Sequence, residues 1–276
     1  MTTTPANGSL HGIAHRATGN DAFEKLARAG FAASGVLHLL VAFIIAQLAF
    51  TGAGGNADQS GALATLAAQP FGKIVLWVAA AGLVALGLWR VAEAIMGAKP
   101  REGAGRKEDN AAWKRGKSLA LAIVNFAIAF SAAKFAMGTG QQSSQQNSGM
   151  SAQLMQSGGG KLLLIAVGIG VIAVGGYHVY KGASEKFLEE LTVSGGRLVT
   201  ATGVAGYVAK GLVLGGAGVL VVIATLQADP AKASGLDAAV KTLGQAPFGK
   251  FLLILAALGI AAFGAYSFIR AKYNRM

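Results

Sequence analysis

Ala67-Ala68-Gln69-Pro70-Phe71-Gly72-Lys73 and Gly244-Gln245-Ala246-Pro247-Phe248-Gly249-Lys250 are two versions of one phrase, and a fainter third copy ends in Gly160-Lys161. Each copy opens an apolar run. Aligned on the Gly-Lys pair, the three runs match without gaps. Gly72, Lys73, Gly82, Ala85 and Gly87 correspond to Gly160, Lys161, Gly170, Ala173 and Gly175, and again to Gly249, Lys250, Gly259, Ala262 and Gly264. Trp89 corresponds to Tyr177 and Tyr266. The runs upstream of these agree less well, Gly30-Phe31-Ala32-Ala33-Ser34-Gly35-Val36 matching Gly206-Tyr207-Val208-Ala209-Lys210-Gly211-Leu212. The repeating unit is therefore apolar run, loop, apolar run.

Working outward, six apolar segments fall near 30–50, 72–96, 117–138, 161–181, 205–227 and 249–270. Each is close to the roughly 20 residues that cross a bilayer as a helix. None has a charged face. Of the 276 residues, 53% are apolar and 13% are charged, and the mean hydropathy is +0.51. A soluble domain carries about 25% charged residues, so these numbers exclude one. They exclude a disordered chain equally. There is no Cys, and with it no disulfide or thiol chemistry. An even number of spans per unit gives all three copies the same orientation. The expected architecture is an all-α integral membrane protein: six transmembrane helices, three tandem two-helix hairpins, pseudo-three-fold symmetry about the membrane normal. The expected divisions are a flexible tail over 1–24, repeats over 25–97, 113–183 and 201–276, and linkers over 98–112 and 184–200.

The net charge of +12 is decided by position. Seventeen Lys and Arg fall before the first span, in the connections between repeats with their adjoining helix ends, and at the C-terminus, against six on the other side. That bias predicts both termini in the cytoplasm. The basic residues form no motif with interleaved aromatics, so nucleic acid is not an expected partner, whereas anionic lipid head groups are. Lys210 lies near the start of the fifth expected span, within snorkelling reach of the interface. On the outer side, 60–66 and 236–243 read as short interfacial helices that Pro70 and Pro247 end. The Gln-, Ser- and Gly-rich stretch 141–160 reads as a mobile loop, with 152–155 a remnant of such a helix.

The Gly206–Gly211 block, Gly235-Leu236-Asp237-Ala238-Ala239, Ala246–Lys250, Phe263-Gly264-Ala265-Tyr266-Ser267 and Arg270-Ala271-Lys272-Tyr273 resemble the domain-of-unknown-function 1206 family of actinobacteria and some other bacteria. Leu88-Trp89-Arg90-Val91-Ala92-Glu93-Ala94 carries the likeness in the first repeat, and the whole spans roughly residues 24–275. Ile269-Arg270 departs from the pattern, in which an acidic residue often precedes the final basic-aromatic run. The resemblance implies a six-span inner-membrane protein. It implies no established activity and supplies no catalytic residues.

Several constellations are candidates for function. Gly82, Ala85, Trp89 and Glu93 share one helix face, with Gly170, Ala173, Tyr177 and Lys181, and Gly259, Ala262, Tyr266 and Arg270, as equivalents. Small residues there, together with Gly87, Gly175 and Gly264, predict close helix packing. The aromatics Trp89, Tyr177 and Tyr266 are expected at the cytoplasmic interface, and Lys73, Lys161 and Lys250 at the outer head groups. Glu93, Lys181 and Arg270 would meet if their faces point to the axis; the alternative is that they are separate helix ends. His38 lies within the first span, where an ionisable residue is a functional candidate by default. Asn125 and Gln47 are possible partners for it, and Asn125, His38 and the ionic cluster would line an axial pathway. His38 and His178 are offset by on the order of 10 Å along their spans, so bis-His haem is not expected, nor is any other cofactor or metal. No nucleophile–base arrangement or nucleotide motif is present. The leading expectation is a non-enzymatic protein acting by association with lipids, membrane-protein partners or its own copies; the alternative is a solute or ion pathway.

Overall fold

The computed structural model describes residues 21–96, 111–193 and 195–275. These form nine α-helices, with no strand beyond an isolated bridge between Leu191 and Asn274. Six are long and apolar enough to cross a membrane: α1 (Asp21–Thr51), α3 (Gly72–Met96), α4 (Ala111–Ala136), α6 (Gly158–Ala183), α7 (Arg197–Leu226) and α9 (Gly249–Tyr273). Three short ones lie between the members of each hairpin: α2 (Gln59–Ala67), α5 (Ser143–Met155) and α8 (Leu236–Gln245). The face that holds them is called the loop face, and the other the terminal face. The expected tail over 1–24 and linker over 98–112 lie almost wholly outside the described residues.

Three expectations change. Helix α1 starts nine residues before its apolar run and α7 eight, because polar residues can continue a helix beyond the bilayer. Lys210 therefore lies thirteen residues into α7, about 20 Å along its axis, though only five residues past the start of the expected span. The stretch 141–160 holds a full helix, α5, that begins at Ser143.

The spans surround a common interior in the order α4, α3, α1, α9, α7, α6. Three contacts join neighbouring repeats, α3 to α4, α6 to α7 and α9 to α1. Each uses the same glycine of the repeat. A Cβ on Gly175 would lie 2.6 Å from Gly215 N and 2.7 Å from Gly211 O, one on Gly264 3.1 Å from Gly35 O, and one on Gly87 2.7 Å from the Phe126 ring. Two contacts close a hairpin on itself, α1 to α3 through Gly30 and Gly82, and α7 to α9 through Ala209 and Gly259. The second hairpin lacks the equivalent packing: α4 and α6 do not run together, and a Cβ on Gly170 would meet nothing within 4 Å. Gly170 and Ala173 are exposed, whereas their equivalents Gly82, Ala85 and Gly259 are buried. For Gly170 and Ala173 the expected packing role is thus corrected. Contacts between repeats thus use equivalent helices and the equivalent glycine, whereas the contact within the hairpin is absent from the second repeat.

The repeated Gly-Lys phrase has a steric cause. A Cβ on Gly72, Gly160 or Gly249 would collide with the carbonyl of Leu66, Leu154 or Gly244, where each short helix turns into the next span. Phe71 and Phe248 hold the left-handed conformation at φ 61° that starts this turn, at a cost of about 1–2 kcal/mol each. On the loop face the three repeats are knotted together. Asp237 Oδ1 accepts from Ala57 N (2.8 Å), Asn56 donates to Ser144, Ser143 N donates to Ser60 Oγ (2.9 Å), and Asn147 Nδ2 donates to Ser234 O (3.1 Å).

Gly175→Ala is expected to destabilise the protein by about 1–3 kcal/mol through overpacking. Gly170→Ala should be neutral or slightly stabilising, since it gains helix propensity in open space. Thermal unfolding of both in detergent checks this; equal losses would contradict the open flank.

Candidate functional site

Charged side chains close the terminal end of the bundle in a circuit. Glu93 on α3 accepts from Arg90 (2.7 Å), from Trp89 Nε1 (3.3 Å) and from Ser118 on α4 (3.4 Å). Arg90 faces the Phe31 ring of α1 at 5.8 Å, and Arg270 of α9 faces the same ring at 4.4 Å. Arg270 continues to Glu190 (3.4 Å), which also meets Lys181 of α6 (2.7 Å) and Lys117 of α4 (3.6 Å). Glu93, Lys181 and Arg270 thus share one network, but Glu93 does not bridge the other two. The carboxylate that does is Glu190, on a 3-10 turn over Lys186–Glu190.

Three features hold that turn in place. Phe187 is fully buried against Tyr207 (5.4 Å between ring centroids) and Tyr266 (5.2 Å), in a gap that Gly203 leaves open. Tyr266 donates to Phe187 O (3.2 Å). Beyond the turn, Thr192 N donates to Tyr273 O (2.8 Å), Arg275 N to Glu190 O (2.9 Å) and Arg275 Nε to Leu191 O (2.8 Å), lacing linker to C-terminal segment. Burial opposes ionisation of Glu190, but the cations Lys181, Arg270 and Lys117 outweigh it and hold the carboxyl well below the usual carboxylate range.

Deeper in the bundle, Lys210 meets His38. His38 Nδ1 lies 2.7 Å from Ser34 O, and Lys210 Nζ lies 3.2 Å from His38 Nε2. A carbonyl only accepts, so Nδ1 carries the ring proton and Nε2 offers its lone pair to Lys210. Phe263 supports both groups, 4.8 Å from the His38 ring centroid and 4.0 Å from the ammonium. On the terminal side lie the aromatic rings of Phe263, Tyr207, Tyr266 and Phe187; on the loop side lies an apolar core including Val41, Ile45, Leu76, Leu253 and Ile260. Asn125 does not join: its amide donates to Leu121 O in its own helix (2.9 Å). Gln47 is exposed.

The expected interface aromatics divide. Trp89 is 3% exposed and Tyr266 0%, so both are interior; Tyr177 is 38% exposed. The reason is the broken equivalence. The same helix face is covered by α1 in the first repeat and by α7 in the third, but is left open in the second. There Lys117 Nζ, 3.2 Å from Tyr177 OH, bridges α4 and α6 at the terminal end only. Lys73, Lys161 and Lys250 are exposed at the loop-face starts of their helices. Among the described residues, no group of three or more His, Asp or Glu is arranged to hold a metal.

The family Domain of Unknown Function (DUF1206) matches the chain three times, over residues 29–97, 117–185 and 205–274. The chain belongs to the DUF1206 family. The "Uncharacterized protein YxxB" of Bacillus subtilis (strain 168) is 29% identical over 258 residues, which cover 92% of each chain. No solved structure matches it. With six apolar helices, this DUF1206 member is a multi-pass membrane protein.

Sequence reasoning missed Glu190 because it lies in a linker without periodicity. The available signal was Phe187, an apolar residue in an otherwise polar connection. The Lys210–His38 pair was missed because its members are 172 residues apart and no local pattern links them.

Glu190→Gln is expected to destabilise the protein by about 1–3 kcal/mol at neutral pH, since it leaves buried cations uncompensated. Because the fold lowers the pKa of Glu190, its contribution is present above the unfolded value of about 4.3 and is lost as pH falls beneath it. The melting-temperature gap between wild type and Glu190→Gln should be constant from about pH 8 to 5 and narrow below that.

Proposed function

We propose that this protein is a non-enzymatic component of a bacterial inner membrane, with both termini cytoplasmic, that works by lateral association with an anionic phospholipid. The observation that carries the reading is the open flank between α4 and α6. Five neighbouring pairs of spans are packed together, and the sixth is not. Its α6 side has the small-residue face Gly170, Ala173 and Tyr177, which buries itself at the equivalent positions of the other repeats. Exposed apolar side chains such as Leu121 and Val174 stand on the two helices. These suit an acyl chain. At the terminal end the flank is basic, with exposed Arg115 and with Lys117 held at the Tyr177 hydroxyl. A negative head group in the cytoplasmic leaflet is attracted by about 1 kcal/mol per such residue. The distribution of Lys and Arg along the chain supports the orientation, and the sparse acid–base chemistry supports the absence of catalysis. An axial solute pathway has less support, because the aromatic and apolar layers occupy both sides of the Lys210–His38 level.

Native mass spectrometry of the protein extracted in mild detergent tests this. Wild type should retain anionic phospholipid, and the double variant Gly170→Leu/Ala173→Leu should retain severalfold less while melting normally. Unchanged retention, or a doubled mass that the variant abolishes, would overturn the lipid reading; the latter would identify a second copy as the occupant.

A further inference from the structure

The Lys210–His38 pair differs in kind from every other charged contact in the bundle. Arg28 is paired with Glu24, Arg90 with Glu93, and Lys181, Arg270 and Lys117 with Glu190. Lys210 alone among the cations that face the bundle interior has no Asp or Glu within ion-pair distance among the described residues. It lies within the span, one turn from Tyr207 of the terminal aromatic layer, where a charge without a counter-ion is costly. Its ammonium turns to His38 and the Phe263 face.

Its surroundings leave its chemistry unfinished. An ammonium has three N–H donors. One is directed to His38 Nε2, and the aromatic face of Phe263 attracts the charge without consuming a lone pair. Lys210 remains half-buried, so it is not sealed off by its neighbours. Ser34 O fixes the His38 tautomer, so the imidazole is an acceptor toward Lys210 and cannot supply a negative charge. In the terminal network Arg270 Nε and Glu190 Oε2 are both buried without a hydrogen-bond partner, and the Glu190 carboxylate is already shared by Lys181, Arg270 and Lys117.

We infer that Lys210, positioned by His38 and Phe263, is an intramembrane binding site for a monovalent carboxylate. One free positive charge matches one negative charge, which argues against a phosphate monoester carrying close to two. Placement among membrane-spanning helices favours a carboxylate attached to a hydrocarbon chain over a small soluble one. His38 and Phe263 are positioning residues, and the ammonium makes the contact. The site is separate from the flank between α4 and α6, and neither depends on the other being correct.

The test uses the full chain in nanodiscs of neutral phosphatidylcholine, titrated with 13C-carboxyl-labelled oleate or acetate and followed by the carboxyl resonance. Oleate is expected to bind wild type, and Lys210→Met and Lys210→Gln to weaken it at least tenfold, with Lys210→Arg retaining it. Both neutral variants should melt at or above the wild-type temperature, because each removes an uncompensated charge. Saturable acetate binding lost in the same variants would also support the site and would identify its source as a soluble carboxylate. Binding unaltered by the neutral variants, no binding of either probe, or a fall of the melting temperature in both would overturn the inference. Phospholipid retention at the flank should not change in any Lys210 variant, which separates this outcome from failure of the lipid reading.

Discussion

Close approach of helix backbones is the constraint on which the rest of this structure depends. Inside a bilayer, helices gain nothing by hiding from water that is not there; they adhere through van der Waals contact at short range. Gly175 against Gly211 and Gly215, Gly264 against Gly35, and Gly30 against Gly82 set that range. Glycine can occupy these helices because a lipid-surrounded backbone must bond to itself. Once the spans are this close, residues one turn away take fixed places. Gly206 sits against the backbone of Phe263, and that contact sets Phe263 beneath Lys210 and beside His38.

The charges follow from the same geometry. Four cations and two carboxylates form the terminal circuit, a net positive ring around an aromatic layer. Glu190 compensates three of those cations from outside the spans. Its carboxylate is brought there by Phe187, whose burial positions the turn. An apolar side chain thereby determines where an ionic group acts. The second carboxylate, Glu93, joins the circuit through local contacts on α3 and through Ser118 of α4.

Much of the fold was legible in the sequence, and for one reason: a bilayer demands long apolar helices, and the Gly-Lys phrase marks where three of them begin. The bounds of α3 agree with the expected span, because Gly72 is fixed sterically and Pro70 precedes it. The start of α7 was less legible, since Leu198, Val199 and Ala201 alternate with Arg197, Thr200 and Thr202 and leave no sharp edge to the apolar run. The faces of the helices were legible as patterns and not as contacts. Gly82, Gly170 and Gly259 look alike in sequence, yet only two of them are covered. Whether a face meets a neighbour depends on how the whole ring closes, which no local pattern encodes. Lys210 and Glu190 illustrate the same limit from the chemical side: each gains its role from a partner far away in the chain.

The contact of α1 with α9 couples the first span to the last. Arg28 donates to the carbonyls of Ala271 (3.1 Å) and Lys272 (2.7 Å), and Gly35 packs on Gly264. During membrane insertion the hairpins emerge in order, so one flank of α1 must wait in the lipid until α9 has been made. Glu190 likewise reaches Arg270 only after that helix arrives. The structure can therefore assemble its hairpins one by one, but its interior becomes a closed electrostatic unit in a single late step.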